Sequence, residues 1–406
     1  MDLKLLYGNK ADINDKIERI ENLKRTFAIE EGVKPTHVFS SSGRAEILGN
    51  HTDHNHGLVM VASISCDVVA CVRKRDDDII KICSENYPPV EVDVSDLQPK
   101  RSEQGTSDAL ARGVARAIKD RGFEIKGFTA YTTSNIFKGA GVSSSAAFEV
   151  LVAEIFNTLY LNGALSEVDR AVISQYAENE YFGKPCGLLD QSGISIGSLV
   201  KLDFNQPTNP TIKKLTPPDG YTLVLTNTGG SHAALTNHYA QIRKDMETIA
   251  QFFGKNVLRD VDKKDLISNL PTLKRRYNGR AIMRALHFYN ENERVLIAEQ
   301  ALEKGDTATF IKAVNDSGLS SLNLLQNCYV PGDFQQPVVL GIEISREIIK
   351  DGAVRVHGGG FAGSILAFVK DDEVNEYVRV MKNVFGNNNV FEASIRNLGT
   401  TLVEVL

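Results

Sequence analysis

The alternation of apolar and polar positions predicts a chain of mixed helices and strands. Residues 14–30 predict a charged helix, and His37, Val38 and Phe39 a short strand within 36–40. The stretch from Leu58 to Val72 is rich in Val, Ile and Ala and reads as one or two buried strands. Residues 107–121 place Ala, Val and Ile between arginines at helical spacing. A strand is expected over 126–132, then a Gly/Ser-rich turn, then a helix through Phe148, Val150, Leu151, Ile155 and Leu159. Ser166-Glu167-Val168-Asp169 has the form of a capping box and should open a helix that ends near Gly183. Further on come a strand over 221–227, helices between 235 and 325, and a helix over 340–350. Gly358-Gly359-Gly360 then turns the chain into a strand from Ile365 to Val369. The fold class expected is α/β or α+β.

Length turns this pattern into a domain expectation. The 406 residues exceed what one ordinary core holds. Asn205-Gln206-Pro207-Thr208-Asn209-Pro210 is the strongest turn or linker signal in mid-chain, so domains of 1–205 and 206–406 are expected. A balance of 42% hydrophobic and 24% charged residues, with net charge −5, favours neither nucleic acid nor an anionic membrane as partner. The five cysteines (Cys66, Cys71, Cys83, Cys186, Cys328) are widely spaced without a C-x-x-C pair and read as reduced thiols. No run reaches the roughly 20 apolar residues of a membrane span, and no signal-peptide pattern opens the chain. A cytoplasmic monomer is expected.

Three segments carry chemistry. Gly139-Ala140-Gly141-Val142-Ser143-Ser144-Ser145-Ala146-Ala147 lies between a predicted strand and a predicted helix. Backbone amides and serine hydroxyls there can cradle an anion, with the helix dipole behind them; a plain Gly/Ser turn with a serine cap is the simpler reading. The segment does not end in the Lys-Ser or Lys-Thr of a P-loop. In the second segment, residues 50–56 are all polar or ionisable. Such density suits a polyhydroxylated ligand. It also allows a zinc site at His51, Asp53, His54 and His56, or a solvated loop. The third runs from Glu178 to Gly187-Leu188-Leu189-Asp190-Gln191, where Asp190 follows an apolar pair. A partly buried carboxylate can act as general base, although most acids at helix ends are merely solvated.

Together these segments resemble the galactokinase branch of the GHMP kinases. GRAEILGNHTDHNHG (43–57) is similar to the galactokinase signature, GAGVSSSAA (139–147) to the superfamily's phosphate loop, and HGGGFAGSILAFV (357–369) to its third motif, in the family's order. The resemblance implies a two-domain fold with mixed sheets and an active site in the cleft between domains. It implies transfer of the γ-phosphoryl group of ATP to the anomeric hydroxyl of galactose, with Mg²⁺ as cofactor and a sugar and ATP as small-molecule partners. Asp190 matches the catalytic base and Arg44 the arginine that stabilises the transferring group. Ser145 and Glu178 match the magnesium ligands. Asn50, His51, Thr52, Asp53, Gly187 and Tyr239 fall at sugar-binding positions. Gly139, Ala140, Gly141, Val142, Ser143, Ser144 and Ser145 fall at ATP-binding ones.

The chain departs from that pattern in the sugar signature. Asn50 stands where the family has a Glu that accepts a hydrogen bond from the sugar's primary hydroxyl, and Glu46 stands where the family has Asn. His54 replaces a Tyr, Phe137 a Pro, Ala362 a Gly and Val142 a Leu. Asn both donates and accepts, so it tolerates a carboxylate that Glu repels. The same reaction on N-acetylgalactosamine or galacturonate therefore stays open, as does a non-catalytic sugar sensor.

Overall fold

The computed structural model describes residues 1–8, 11, 13–136, 141–184, 186–230 and 235–406. Strand β1 (His37–Leu48) pairs antiparallel with β2 (Leu58–Lys74). The expected strand at 36–40 is only the start of β1, because buried Ser40, Ser41, Ser42, Arg44 and Glu46 continue it in register with β2. Strands β3 (Ile79–Ser84), β4 (Val90–Asp93), β5 (Phe128–Ser134), β6 (Leu199–Asp203) and β7 (Thr211–Leu215) complete most of the sheet. The first half of β2 pairs with β6 and the second half with β5. The β3–β5 pairing is parallel in an otherwise antiparallel, eight-stranded sheet. A second sheet of four strands gathers β8 (Tyr221–Asn227), β9 (Gly352–Val356), β10 (Ser364–Lys370) and β11 (Val390–Ala393) in the order β11-β8-β10-β9. The chain then returns, and β12 (Thr401–Val405) closes the outer edge of β1 in the first sheet.

Residues 205–210, expected as a turn or linker and as the domain boundary, are the turn of the β6–β7 hairpin inside the first sheet. The change of sheet comes later, between β7 and β8. Asn and Pro break regular structure equally well in a turn and in a linker, and only the pairing of the flanking strands separates the two.

The predicted helices form at Ile13–Glu31, Ser107–Lys119, Ser144–Tyr160 and Glu167–Tyr176. Ser166 Oγ accepts from Asp169 N at 3.1 Å while Asp169 Oδ2 accepts from Ser166 N at 3.0 Å, so both halves of the capping box are made. That helix continues as a wide π-helical turn, Ala177–Phe182, and stops at Gly183, whose φ of 83° a side chain would strain. Helices 107–119 and 144–160 bury their apolar faces on the first sheet. A second cluster joins the two sheets: Ala45, Ile47 and Met60 pack with Leu223, Leu225 and Phe368, sealed by Val295 and Phe310 from helices Gly279–Glu303 and Thr307–Ser320. This shared core fixes one sheet against the other, and buried Arg355 of β9 reaches the Ile47 carbonyl and Glu46 of β1 across a defined seam. No helix among the described residues is long and apolar enough to cross a membrane.

Candidate active site

Residues two apart on a strand share a face. On β1, Ala45 and Ile47 enter the shared core, which leaves Arg44 and Glu46 on the opposite side, at the seam. Arg44 Nε donates to Asp190 Oδ1 at 2.7 Å, and its guanidinium also donates to the Gly141 carbonyl. Asp190 opens helix Leu189–Ile196, anchored by buried Leu188 and Leu189. The Ser143 hydroxyl donates to the second oxygen of Asp190. Burial opposes the charge of Asp190, but the Arg44 guanidinium and the Ser143 hydroxyl more than offset it. The carboxyl therefore sits below the ordinary aspartate value. About a third of the side chain, 32%, remains open to the cleft.

Ser143 is also the N-cap of helix Ser144–Tyr160, held at a left-handed φ of 60°. A serine there normally caps a first-turn amide. This one caps none, because its hydroxyl faces Asp190. The first-turn amides are therefore left to an anion at the helix N-terminus. Gly141, Val142, Ser143, Ser144 and Ser145 all lie at this helix start; Gly139 and Ala140, like Phe137, lie outside the described residues.

The polar loop from Gly49 to Gly57 follows β1. It is held from below by helix Gly279–Glu303. Glu291 Oε1 accepts from Gly49 N at 2.9 Å, His287 Nε2 donates to the Asn50 carbonyl at 2.9 Å, and Asn292 Oδ1 accepts from Leu58 N at 2.6 Å. Thr52 Oγ1 lies 2.9 Å from the Gly49 carbonyl and 2.8 Å from that of Leu58, which closes the loop on itself. His51 Nε2 donates to the Gly359 carbonyl at 2.9 Å, and Tyr239 Oη to that of Gly360 at 3.0 Å, tying the loop and the helix Thr236–Phe252 to the second glycine-rich turn. Asp53 lies against Gly187: a Cβ at 187 would stand 2.2 Å from its Oδ2 and displace the carboxylate, three residues before Asp190. Burial pushes the Asp53 carboxyl up; His51 opposes that, and the charges of Glu46 and Asp190 add to it.

Asn50 departs from its expected role. Its Nδ2 donates to Glu46 Oε1 at 2.7 Å and to the Gly358 carbonyl at 2.9 Å. Its Oδ1 accepts from Asn327 Nδ2 at 2.8 Å and Ser321 Oγ at 3.2 Å. An amide has two donor hydrogens and two acceptor lone pairs. All are spent inside the protein, and the residue is fully buried. Thr52 is likewise committed to the loop backbone.

Around the far side of the phosphate-loop helix, Ser145 Oγ donates to Glu178 Oε1 at 3.2 Å, and Lys184 Nζ lies 3.0 Å from the same oxygen. Gln191 Nε2 donates to Glu178 Oε2 at 2.8 Å. A hydroxyl and a buried carboxylate are hard oxygen donors of the kind magnesium takes, and the nearby ammonium shows that the position favours a cation. Behind them Glu149 is completely buried, and its Oε1 makes no hydrogen bond among the described residues. Burial, followed by the charge of Glu178, raises the Glu149 carboxyl well above its usual value. His51, Asp53, His54 and His56 do not gather as a zinc site: among the described residues no group of three or more His, Cys, Asp or Glu could hold a metal.

Comparison with known proteins gives the family of the chain. Residues 109–198 match the family described as the GHMP kinases N terminal domain, and residues 25–74 match the galactokinase galactose-binding signature. The galactokinase of Streptomyces coelicolor is 32% identical over 361 residues, which cover 87% of this chain and 90% of that protein. The chain belongs to the galactokinase family. A second galactokinase, from Glaesserella parasuis, is 30% identical over 91% of this chain and 93% of its own. The crystal structure of Lactococcus lactis galactokinase complexed with galactose superposes with a TM-score of 0.82 at 25% identity, covering 95% of this chain and all of that one. A mevalonate kinase at 12% identity and a TM-score of 0.63 shares the fold. This galactokinase-family chain is thus a phosphotransferase of the GHMP type with an alcohol acceptor. Its motifs, 300 residues apart in sequence, come together at the seam of two sheets. Sequence reasoning missed Gln191, Glu149, Arg355 and the direct contact between Glu46 and Asn50. The signal for the last was present: two neighbouring departures that exchange an acid and an amide.

Proposed function

We propose that this protein transfers the γ-phosphoryl group of ATP to the anomeric hydroxyl of galactose, giving galactose 1-phosphate. The observation that carries the reading is the Asp190 carboxylate. It is held between Arg44 and Ser143 at the N-terminus of the phosphate-loop helix, and Asp53 of the sugar loop packs against Gly187 on the same segment. In this reading Asp190 takes the proton of the attacking hydroxyl. A carboxylate kept ionised by Arg44 is a weak base, but the transition state of phosphoryl transfer is loose, so positioning counts for more than basicity. Arg44 stabilises the charge on the transferring group. The amides and hydroxyls of Gly141–Ser145 hold the phosphates. Asp53 and His51 receive the sugar, with Gly187 giving them room and Tyr239 lining the same turn. Ser145 and Glu178 would hold Mg²⁺, which supplies charge neutralisation on the phosphates when bound.

The test is release of ADP by purified protein with Mg-ATP across galactose, glucose, N-acetylgalactosamine and galacturonate. Turnover at least roughly tenfold higher on galactose than on the others is expected. Turnover on a different sugar would reassign the substrate, and no turnover on any would leave a sugar-binding protein without the reaction.

A further inference from the structure

Two of the residues that break the sugar signature touch each other, and this carries a statement about specificity that rests on the sugar-kinase reading above. Glu46 lies on the seam face of β1 and is only 6% exposed. Its Oε1 accepts from Asn50 Nδ2 at 2.7 Å and from one Arg355 nitrogen at 3.1 Å. Arg355 is fully buried on β9, and its other donors go to the carbonyls of Ile47 and Val356. Two donors therefore fix one carboxylate oxygen. Both bonds fall on Oε1; Oε2 makes no hydrogen bond among the described residues, and the side chain keeps an exposure of 8%. Glu46 shares the strand face of Arg44, which holds Asp190, and its partner Asn50 stands three residues before Asp53, so the acid lies beside the cleft they line. Asn50, with every donor and acceptor committed, cannot reach into it.

We propose that Glu46, and not Asn50, is the acceptor for a hydroxyl of the sugar, and that Asn50 is a positioning residue that aims the Glu46 carboxylate into the cleft. A carboxylate accepts hydrogen bonds and donates none, so it takes a hydroxyl and rejects a second anion. The ligand class is a neutral hexose. The tolerance for galacturonate that Asn50 suggested from sequence is removed by the acid four residues before it.

The experiment measures galactose and galacturonate binding by calorimetry, and kcat and KM with Mg-ATP, for the unaltered protein and for Glu46→Gln, Asn50→Glu and the double exchange Glu46→Asn/Asn50→Glu. Glu46→Gln keeps shape and loses charge. It should weaken galactose binding by roughly tenfold or more, narrow the preference over galacturonate, and change kcat by less than about threefold. Asn50→Glu sets two carboxylates in contact and should weaken galactose similarly. The double exchange should recover most of that loss, which a merely structural pair would not do through KM alone. Galactose affinity within twofold of the unaltered protein in Glu46→Gln, with a lower melting temperature, would make Glu46 only the counter-ion of Arg355 and overturn the proposal. Absence of turnover with galactose binding intact would overturn the proposed reaction and leave the binding comparison to decide Glu46 separately.

Discussion

Asp190 is the residue on which most of the chemistry converges, and its surroundings set measurable expectations. Asp190→Asn should lower kcat by roughly 10²–10⁴-fold, while ATP binding changes little, because a base acts in the transition state. Single-turnover kinetics with a nucleotide-binding titration checks this; a large loss of ATP affinity would mean that Asp190 serves the nucleotide instead. The pH dependence follows from Arg44 and Ser143. They hold the carboxyl below the ordinary aspartate value, so it stays ionised as the pH falls through the usual carboxylate range. The kcat of the unaltered protein should then be flat between about pH 7 and pH 5, and Arg44→Gln should move the acid limb upward, measured on whatever activity remains. Resemblance to the family's motifs pointed to Asp190, Arg44, Ser145 and Glu178, and the fold brings Arg44 to Asp190 and Ser145 to Glu178. Resemblance could not reveal that Asn50 is sealed, because hydrogen-bond saturation depends on Ser321, Asn327 and Gly358, all more than 270 positions away.

At the scale of elements, the site depends on two loops that approach more closely than side chains allow. Gly187→Ala would push a methyl into Asp53 Oδ2, 2.2 Å from the ideal Cβ. The Asp53 carboxylate must swing away from its place, so sugar KM should rise by roughly tenfold or more with ATP affinity preserved; equal losses for both ligands would point to general unfolding instead. Helices were the legible elements, because their apolar stripes and the Ser166 capping box are local signals. Strand β1 runs past the expected 36–40 because buried Ser40, Ser41 and Ser42 interrupt its apolar pattern between Phe39 and Ala45. Beyond them Arg44 and Glu46 are strand residues whose partners are the site, not water. The short strands β3, β6, β11 and β12 pair with distant neighbours, which local composition does not encode.

Across the whole molecule, buried charges hold distant segments together. Asp67 on β2 accepts from Tyr7 Oη at 2.6 Å and Arg19 at 2.7 Å, and lies 3.8 Å from buried Arg396 beyond β11. Asp67→Asn would strand Arg396 with less compensation and should cost about 3–5 kcal/mol, read as a lower melting temperature with kcat unchanged at permissive temperature. Glu291, fully buried under the sugar loop, has its carboxyl held at about 2: burial alone would raise it, and Arg294, His287, Arg355 and Ser317 overcome that. The folded value lies below the unfolded one, so the stabilisation is complete above about pH 4.5 and is lost as pH falls toward 2. By linkage it amounts to on the order of 3 kcal/mol. Acid titration of unfolding should show Glu291→Gln less sensitive across that window than the unaltered protein. The two-sheet plan was legible as a mixed α/β class, but the return of β12 to the first sheet was not, since nothing in its five residues names a partner strand.

The contact between Glu46 and Asn50 also bears on descent. An acid and an amide have changed places across a 2.7 Å hydrogen bond, and no single replacement accomplishes that. One intermediate sets two acids in contact in a buried seam; the other has two amides and leaves Arg355 without its carboxylate. Lineages are therefore expected to carry one arrangement or the other as a linked pair, with the mixed forms rare.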